Sequence, residues 1–213
     1  MSPKVGILAH QGGFEAHERI VRALGAQVRE VRLPEDLEGL DALIIPGRES
    51  TVMTLGIERD GLAEPLRDLV RRGTPVLGTC AGMIMLDRDH LGLLDISTER
   101  NAFGRQLRSF ECDLEISGIP GGPVHAVFIR APWVSRRGND VQVMATLDDH
   151  PVAVRQGNVV AIAFHPELAG ERRLHELILG LNGDGSEPAM ADLGPETGNG
   201  GRDPGQRPHS RRS

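Results

Sequence analysis

The first half of the chain alternates short apolar runs with stretches that carry apolar residues at helical spacing. Strands are predicted at Lys4 to Ala9, Gln27 to Leu33, Asp41 to Pro46 and the run that ends at Cys80. Helices are predicted over Phe14 to Leu24 and Leu62 to Arg72, and a glycine follows each of them. Such repetition predicts a parallel sheet with helices on both faces. Ligands of such sheets bind outside the carboxyl ends of the strands.

After about residue 100 the pattern changes to strands joined by turns. The predicted strands are Phe110 to Ser117, Val124 to Ala131, Val141 to Leu147, Val152 to Gln156 and Val159 to Phe164, with a last helix over Glu171 to Leu181. No linker-like stretch separates the halves. We therefore predict one α/β domain over residues 1–182, a flavodoxin-like three-layer sandwich whose mostly parallel sheet gains antiparallel strands from the second half. Residues 183–213, dominated by Gly, Pro, Ser and charge, are predicted to be a disordered tail.

Composition and charge narrow the classes of function. With 213 residues, of which 39% are hydrophobic, the chain can bury one sizeable core. The net charge is −6 and no basic block precedes the extreme C-terminus, so no nucleic-acid partner is expected. The apolar runs are far short of a membrane span. No secretory segment precedes the two cysteines, so a reducing cytoplasm is the expected location.

The candidate nucleophile is Cys80, at the end of an apolar run and the start of a predicted helix. Gly78 and Gly82 bracket it and leave room for a sharp strand-turn-helix elbow, as in the G-x-S-x-G elbow of serine hydrolases. A thiol at a helix N-terminus is favoured as thiolate by the unpaired N–H groups. The alternative is a buried structural cysteine, because free cysteine is among the most buried residue types.

The candidate base is His165, which directly follows the predicted strand ending at Phe164. In extended backbone, residues two apart point to the same side, so Glu167 can orient the imidazole. A carboxylate that fixes a histidine next to a nucleophile is the arrangement of a catalytic triad. An ordinary surface pair is the alternative interpretation.

Three other segments suit an amino-acid substrate. A loop at Gly47, Arg48 and Glu49 can direct backbone N–H groups at a carbonyl oxygen, and its glutamate can accept an ammonium. The same residues also suit an ordinary helix start. Arg100 and the Ile129-Arg130 pair lie in two arginine-containing stretches, and arginine can bind a carboxylate bidentately. Solvated arginines are the alternative there.

Taken together, the motifs resemble a known family. They are Ala9-His10-Gln11-Gly12 followed by Glu15 and His17, then PGRESTVM, GTCAGMIML, RNAFGRQ, VFIRAP and FHPEL. In this order and spacing they resemble the glutaminase subunits of pyridoxal 5'-phosphate synthase, a group within the class I, triad-type glutamine amidotransferases. The resemblance runs from Lys4 to about Leu181. GTCAG and HPE occur in many amidotransferases, whereas RNAFGRQ and VFIRAP occur in a much smaller group of them and together indicate these glutaminase subunits.

The resemblance implies a role for each matching residue. Cys80 would be the nucleophile, with His165 and Glu167 as its relay. Residues implied to contact glutamine or to form the oxyanion hole are Gly47, Arg48, Glu49, Arg100, Ile129 and Arg130, and Gln11 falls in the region near the synthase subunit. Two departures stand out: the family usually has glycine at the position of Arg48 and an apolar residue at that of His10, so a second histidine is expected near the site.

The implied activity is hydrolysis of L-glutamine to glutamate and ammonia, with no metal or cofactor. The ammonia would go to a partner synthase subunit that makes pyridoxal 5'-phosphate. One alternative is another cysteine hydrolase of the flavodoxin-like group, a peptidase or a gamma-glutamyl hydrolase, which would not need RNAFGRQ or VFIRAP. A second alternative is a catalytically silent binding subunit, in which Arg48 disturbs the oxyanion loop.

Overall fold

The computed structural model describes residues 2–10, 13–47, 49–100, 102–103 and 109–180. The first half contains strands β1 (Lys4–Leu8), β2 (Gln27–Val31), β3 (Ala42–Ile45) and β4 (Val76–Thr79), with helices α1 (Phe14–Ala23), α2 (Ser50–Arg59), α3 (Ala63–Arg71) and α4 (Ala81–Leu86) and a 3-10 helix at Pro34–Leu37. The second half contains β5 (Ile96–Glu99), β6 (Ser109–Leu114), β7 (Val124–Ile129), β8 (Trp133–Arg137), β9 (Gln142–Leu147), β10 (His150–Gln156), β11 (Val159–Ile162) and α5 (Arg173–Ile178).

Seven strands of the described chain form a central sheet in the order β2-β1-β3-β4-β11-β10-β9. Neighbouring strands from β2 to β11 are parallel, and β10 and β9 continue the sheet antiparallel. All residues of β3, β4 and β11 are buried. Burial on both faces explains why these strands have continuous apolar sequences instead of alternating ones. The predicted α/β fold with a mostly parallel sheet is confirmed.

The strand order reverses beside β1. The chain passes from β1 to β2 on one side and then to β3 on the other side of β1. Because crossovers between parallel strands are right-handed, the connections made in the two directions lie on opposite faces of the sheet. The carboxyl ends of the strands next to this reversal are where open α/β sheets bind ligands. The segments that begin at Gly13 and Gly47 follow these two strand ends.

The second half differs from the prediction in its pairing. β11 lies parallel to β4 in the middle of the sheet, so the antiparallel extension consists of β10 and β9. β6 and β7 form a separate two-stranded sheet, and so do β5 and β8. Sequence alternation identifies a strand but does not name its partner, since pairing depends on contacts distant in the chain.

Several elements were missed or shifted. β5 and β8 were not predicted, because ISTE and WVSRR lack a clear alternation of apolar and polar residues. α2 was considered only as a possible helix start, since STVMTLGIER mixes β-branched residues with an internal glycine. α5 is shorter than predicted, and Leu181 and the tail lie outside the described residues. No helix in the described ranges has the length and apolar character needed to cross a membrane.

Candidate active site

Cys80 joins β4 to α4 and has an unusual backbone conformation. Its φ is 47° and its ψ is −108°, although it is not a glycine. A non-glycine residue at positive φ is strained, and such residues concentrate at functional sites. The sharp turn expected between two glycines is therefore made by Cys80 itself.

The two bracketing glycines serve close packing instead of the turn. A Cβ on Gly82 would collide with the backbone carbonyl oxygen of Ile45 on β3. A Cβ on Gly78 would lie 2.9 Å from the backbone of Gly82 and 2.5 Å from Leu86. Helix α4 can therefore lie directly against the sheet, which brings its first turn to the strand ends.

His165 reaches Cys80 because β11 lies next to β4 in the sheet. The imidazole is buried, and its Nδ1 lies 2.7 Å from Glu167 Oε1. Burial opposes protonation of His165, but hydrogen bonds with Cys80 and Glu167 outweigh it and raise the pKa of His165 to about 10. The raised pKa favours the imidazolium form of the ring. A positive charge there favours negative charge on the Cys80 sulfur.

A pocket of about 490 Å³ opens above these groups. It is lined by Gly13, Ala16, Gly47, Glu49, Ser50, Ala81, Ile84, Arg100, Ile129, Arg130, His165, Glu167 and Leu168. Cys80 adjoins this lining, with Sγ 3.7 Å from the Ile129 carbonyl oxygen. The structure thus brings the predicted residues together from five separate segments. Arg48 and Gln11, also predicted, lie outside the described residues.

The backbone of Gly47 packs directly against two residues of the candidate triad. A Cβ at this position would lie 2.5 Å from Cys80 Cβ, 2.8 Å from the Thr79 carbonyl oxygen and 2.9 Å from His165 Cε1. No side chain can therefore replace its hydrogen without displacing the site. The Gly47 N–H donates to Thr79 Oγ1 over 3.0 Å, which ties the loop to the end of β4.

Arg100, one of the charged residues of the pocket, is hydrogen-bonded on the side away from the pocket to a chain of two further polar residues. Arg100 Nη2 lies 3.3 Å from His90 Nε2, and His90 Nδ1 lies 2.7 Å from the buried Asp87 carboxylate. Because His90 Nδ1–H donates a hydrogen bond to that carboxylate, Nε2 is the ring nitrogen that can accept a hydrogen bond from Arg100. Arg130, the other arginine of the pocket, has a backbone φ of 45°, in the left-handed region that non-glycine residues rarely adopt. The pocket therefore offers two cations and the Glu49 carboxylate around one nucleophile.

The second histidine near the triad is His17, not His10. His10 packs against Gly56 of α2 and lies 3.0 Å from the Asp60 carboxylate. His17 is completely buried on α1, with Nε2 3.4 Å from Glu167 Oε2. The sequence patterns predict no role for His17, or for Thr79 and His175, which lie beside it. A polar residue one turn before Val21, on the buried stripe of α1, was the available signal.

Comparison with known proteins agrees with this geometry. The sequence profile of the SNO glutamine amidotransferase family matches residues 7–180. The chain belongs to this glutamine amidotransferase family. Its candidate triad and pocket therefore lie within the matched region.

Relatives of this glutamine amidotransferase match it over most of their length. Pyridoxal 5'-phosphate synthase subunit PdxT of Mycobacteroides abscessus is 49% identical over 190 residues, covering 85% of this chain and 98% of the relative. The protein of the same name from Mycolicibacterium vanbaalenii is 50% identical, covering 84% and 97%. A solved structure described as a glutamine amidotransferase has a TM-score of 0.78 and 47% identity, covering 83% of this chain and 97% of that one.

Proposed function

We propose that the chain hydrolyses L-glutamine to L-glutamate and ammonia, as the glutaminase subunit of a pyridoxal 5'-phosphate synthase. The observation that carries this proposal is the strained Cys80 beside the His165–Glu167 pair, which itself lines a pocket with cationic and anionic side chains. Relatives named PdxT at about half identity over nearly their whole length supply the biological context.

The first half of the reaction forms a thioester. The Cys80 sulfur attacks the side-chain amide carbon of glutamine, and the carbonyl π electrons move to its oxygen. The N–H of Ala81, directly after the nucleophile, is one proposed donor to this oxyanion, and the N–H of the Gly47-Arg48 peptide is the other. His165 then gives its proton to the departing nitrogen, the C–N bond breaks, and ammonia leaves.

The second half releases glutamate and restores the thiolate–imidazolium pair. Neutral His165 takes a proton from water, whose oxygen attacks the thioester carbon. Collapse of the second tetrahedral intermediate breaks the C–S bond, and the sulfur leaves as thiolate beside the reprotonated imidazole. Glu167 keeps Nδ1 of His165 occupied throughout, so that Nε2 remains the working nitrogen.

Glutamine recognition requires one group for each end of the amino acid. In this proposal Glu49 binds the α-ammonium, while Arg100 and Arg130 bind the α-carboxylate. The Ile129 backbone contacts the side-chain amide near Cys80, in keeping with its carbonyl 3.7 Å from the sulfur. A pocket of about 490 Å³ is ample for one free amino acid, because pockets that bind even drug-sized ligands measure about 300 to 1,000 Å³.

The proposed partner is a pyridoxal 5'-phosphate synthase subunit that receives the ammonia, with Gln11 in the contact region. Because an unpaired glutaminase would waste glutamine, we expect low activity alone and activation when the partner selects the productive conformation of the Gly47 loop. Cytoplasmic location is part of the same proposal. Both Cys80 and Cys112 are free thiols, which suits a reducing compartment.

The decisive test measures glutamate release from glutamine across a titration of the synthase subunit. Turnover that rises and saturates with complex formation supports the proposal. Glutamate release that is absent at every partner concentration contradicts it and favours a silent binding subunit. Hydrolysis of gamma-glutamyl peptides in preference to glutamine, without any response to the partner, would instead indicate a flavodoxin-like cysteine hydrolase.

A further inference from the structure

A buried polar chain runs behind the candidate triad and ends at the Gly47 loop. His17 Nδ1 lies 2.9 Å from His175 Nε2, and His17 Nε2 lies 3.4 Å from both Glu167 Oε2 and Thr79 Oγ1. Thr79 Oγ1 in turn accepts the N–H of Gly47. A single imidazole on α1 thus contacts the triad carboxylate and the side chain that holds the oxyanion loop.

The positions of the protons follow from the partners. Burial works against ionisation of Glu167, but the hydrogen bond from His165 and the neighbouring His17 hold its pKa below the usual range. Among the described residues Glu167 Oε2 has no hydrogen-bond partner, and an ionised carboxylate can only accept, so we place the proton of neutral His17 on Nε2, 3.4 Å from that oxygen. Nδ1 of His17 is then an acceptor, and His175 donates to it from Nε2.

The protonation states of the two rings agree with this arrangement. Burial lowers the pKa of His17, with Glu167 opposing the shift and His165 adding to it. Burial also lowers the pKa of His175, to about 3. Both rings are therefore neutral at physiological pH. Each can point one N–H in one fixed direction.

We infer that His17 is a positioning residue for the triad: its imidazole lies against the second oxygen of Glu167 and hydrogen-bonds with Thr79, whose hydroxyl holds the Gly47 loop in register with Cys80. His17 has no solvent exposure and is not part of the pocket lining, so it does not touch substrate. Glu167 binds His165 through Oε1 and faces His17 through Oε2. Without His17 the carboxylate loses a neighbour that lowers its pKa and so favours its charged form.

The kinetic readout of this inference rests on the proposed function, because it uses glutamine. The test therefore includes a second readout, alkylation of Cys80, that needs no substrate. Three variants are made in a Cys112→Ser background, which leaves Cys80 as the reactive thiol. His17→Leu fills the space without a donor, and His17→Gln keeps an N–H. Val21→Ala is the matched control, because Val21 is equally buried one turn along α1 and brings no polar group. Melting temperature is recorded for each.

Two measurements decide the role of His17. The first is the pH dependence of Cys80 alkylation by iodoacetamide, and the second is kcat and KM for glutamine in the complex with the synthase subunit. For His17→Leu we expect kcat to fall about tenfold with KM unchanged, by analogy with residues that orient metal ligands from behind, whose loss costs about 10- to 100-fold. The acid limb of the alkylation profile should move upward by about one unit, because Glu167 is more easily protonated. His17→Gln should retain most of the parental kcat and most of the parental alkylation profile.

Val21→Ala should lower the melting temperature while leaving kcat and the alkylation profile at parental values. The inference is wrong if His17→Leu keeps the parental kcat and alkylation profile. It is also wrong if His17→Leu and His17→Gln lower kcat and shift the profile to the same extent, or if Val21→Ala has the same effect as His17→Leu. Parent protein whose Cys80 is alkylated but which releases no glutamate in the complex would contradict the proposed function. The alkylation profiles of the variants would still decide the inference about His17.

Discussion

His165 Nδ1 lies 2.7 Å from Glu167 Oε1, so one ring nitrogen is committed to the carboxylate while the other serves Cys80. Both side chains are buried and only two residues apart. The pair separates two tasks, because one member carries the proton and the other holds the ring. Substitutions at the two positions should therefore have unequal consequences.

Removing the base should cost more than removing its orienting partner. We expect His165→Ala to lower kcat by about 1,000-fold or more, since proton transfer to ammonia is lost. Glu167→Gln should be impaired but measurable, because the imidazole remains. Steady-state rates at saturating glutamine test this order. Parental activity in Glu167→Gln would remove Glu167 from the site.

The two free cysteines should respond differently to substitution. Cys80→Ala should abolish glutamine hydrolysis, because it removes the proposed nucleophile. Cys112→Ala should leave activity largely intact, since Cys112 lies on β6 opposite Ala126 of β7. Glutamate release by each folded variant is the measurement. Equal loss in both would contradict the assignment.

Gly47→Ala tests whether the site tolerates any side chain above the thiol. The added Cβ would lie 2.5 Å from Cys80 Cβ and 2.8 Å from the Thr79 carbonyl oxygen, so backbone must move. A displacement near 1 Å in such a site costs about 100-fold in rate, and we expect a fall of that order in kcat. Ala16→Ser, at another residue of the pocket lining, is the control for added volume. Near-parental turnover in Gly47→Ala would show that the loop can relax.

The chain from Asp87 through His90 to Arg100 should affect substrate binding more than chemistry. His90→Ala removes the group beside Arg100 Nη2, whose contact is 3.3 Å long. A hydrogen bond worth about 1 kcal/mol corresponds to an increase in KM of about fivefold, with kcat unchanged. Initial rates over a range of glutamine concentrations separate the two parameters. A fall in kcat at constant KM would contradict a role in binding.

Stability should decline on the acid side because of His175. Burial lowers its pKa from 6.5 to about 3, so below pH 6.5 the unfolded chain binds a proton that the folded chain refuses. The free energy of unfolding therefore falls with decreasing pH, by about 1.4 kcal/mol per unit between these two values. From pH 7 to pH 5 this site should cost about 2 kcal/mol.

Denaturant unfolding of the parent and of His175→Gln at these two pH values checks this prediction. The variant keeps an N–H toward His17 but cannot be protonated, so its stability should fall less with acidification. All other titrating groups are common to both proteins and cancel in the comparison. An identical pH dependence in the two would show that His175 is not kept neutral by the fold.

The sequence by itself determined the strand–helix alternation, the elbow at Cys80 and the His165–Glu167 spacing. These are local features: apolar runs predict buried strands, and residues two apart in extended backbone share a side. Motif order also indicated the family. The described strands of the second half were mostly predicted, except β5 and β8, whose short sequences carry no clear period. In the first half, α2 was indicated only by a possible helix start, because its sequence mixes β-branched residues with an internal glycine.

Tertiary structure decided which distant residues meet. Sequence gave no reason for β11 to lie parallel beside β4, yet that pairing is what brings His165 to Cys80. It also could not show that His17, not His10, lies beside Glu167, or that Thr79 holds Gly47. Such contacts join residues from 32 to 158 positions apart. They depend on strand order and helix packing, which are set by the burial of the whole core and not by any local pattern.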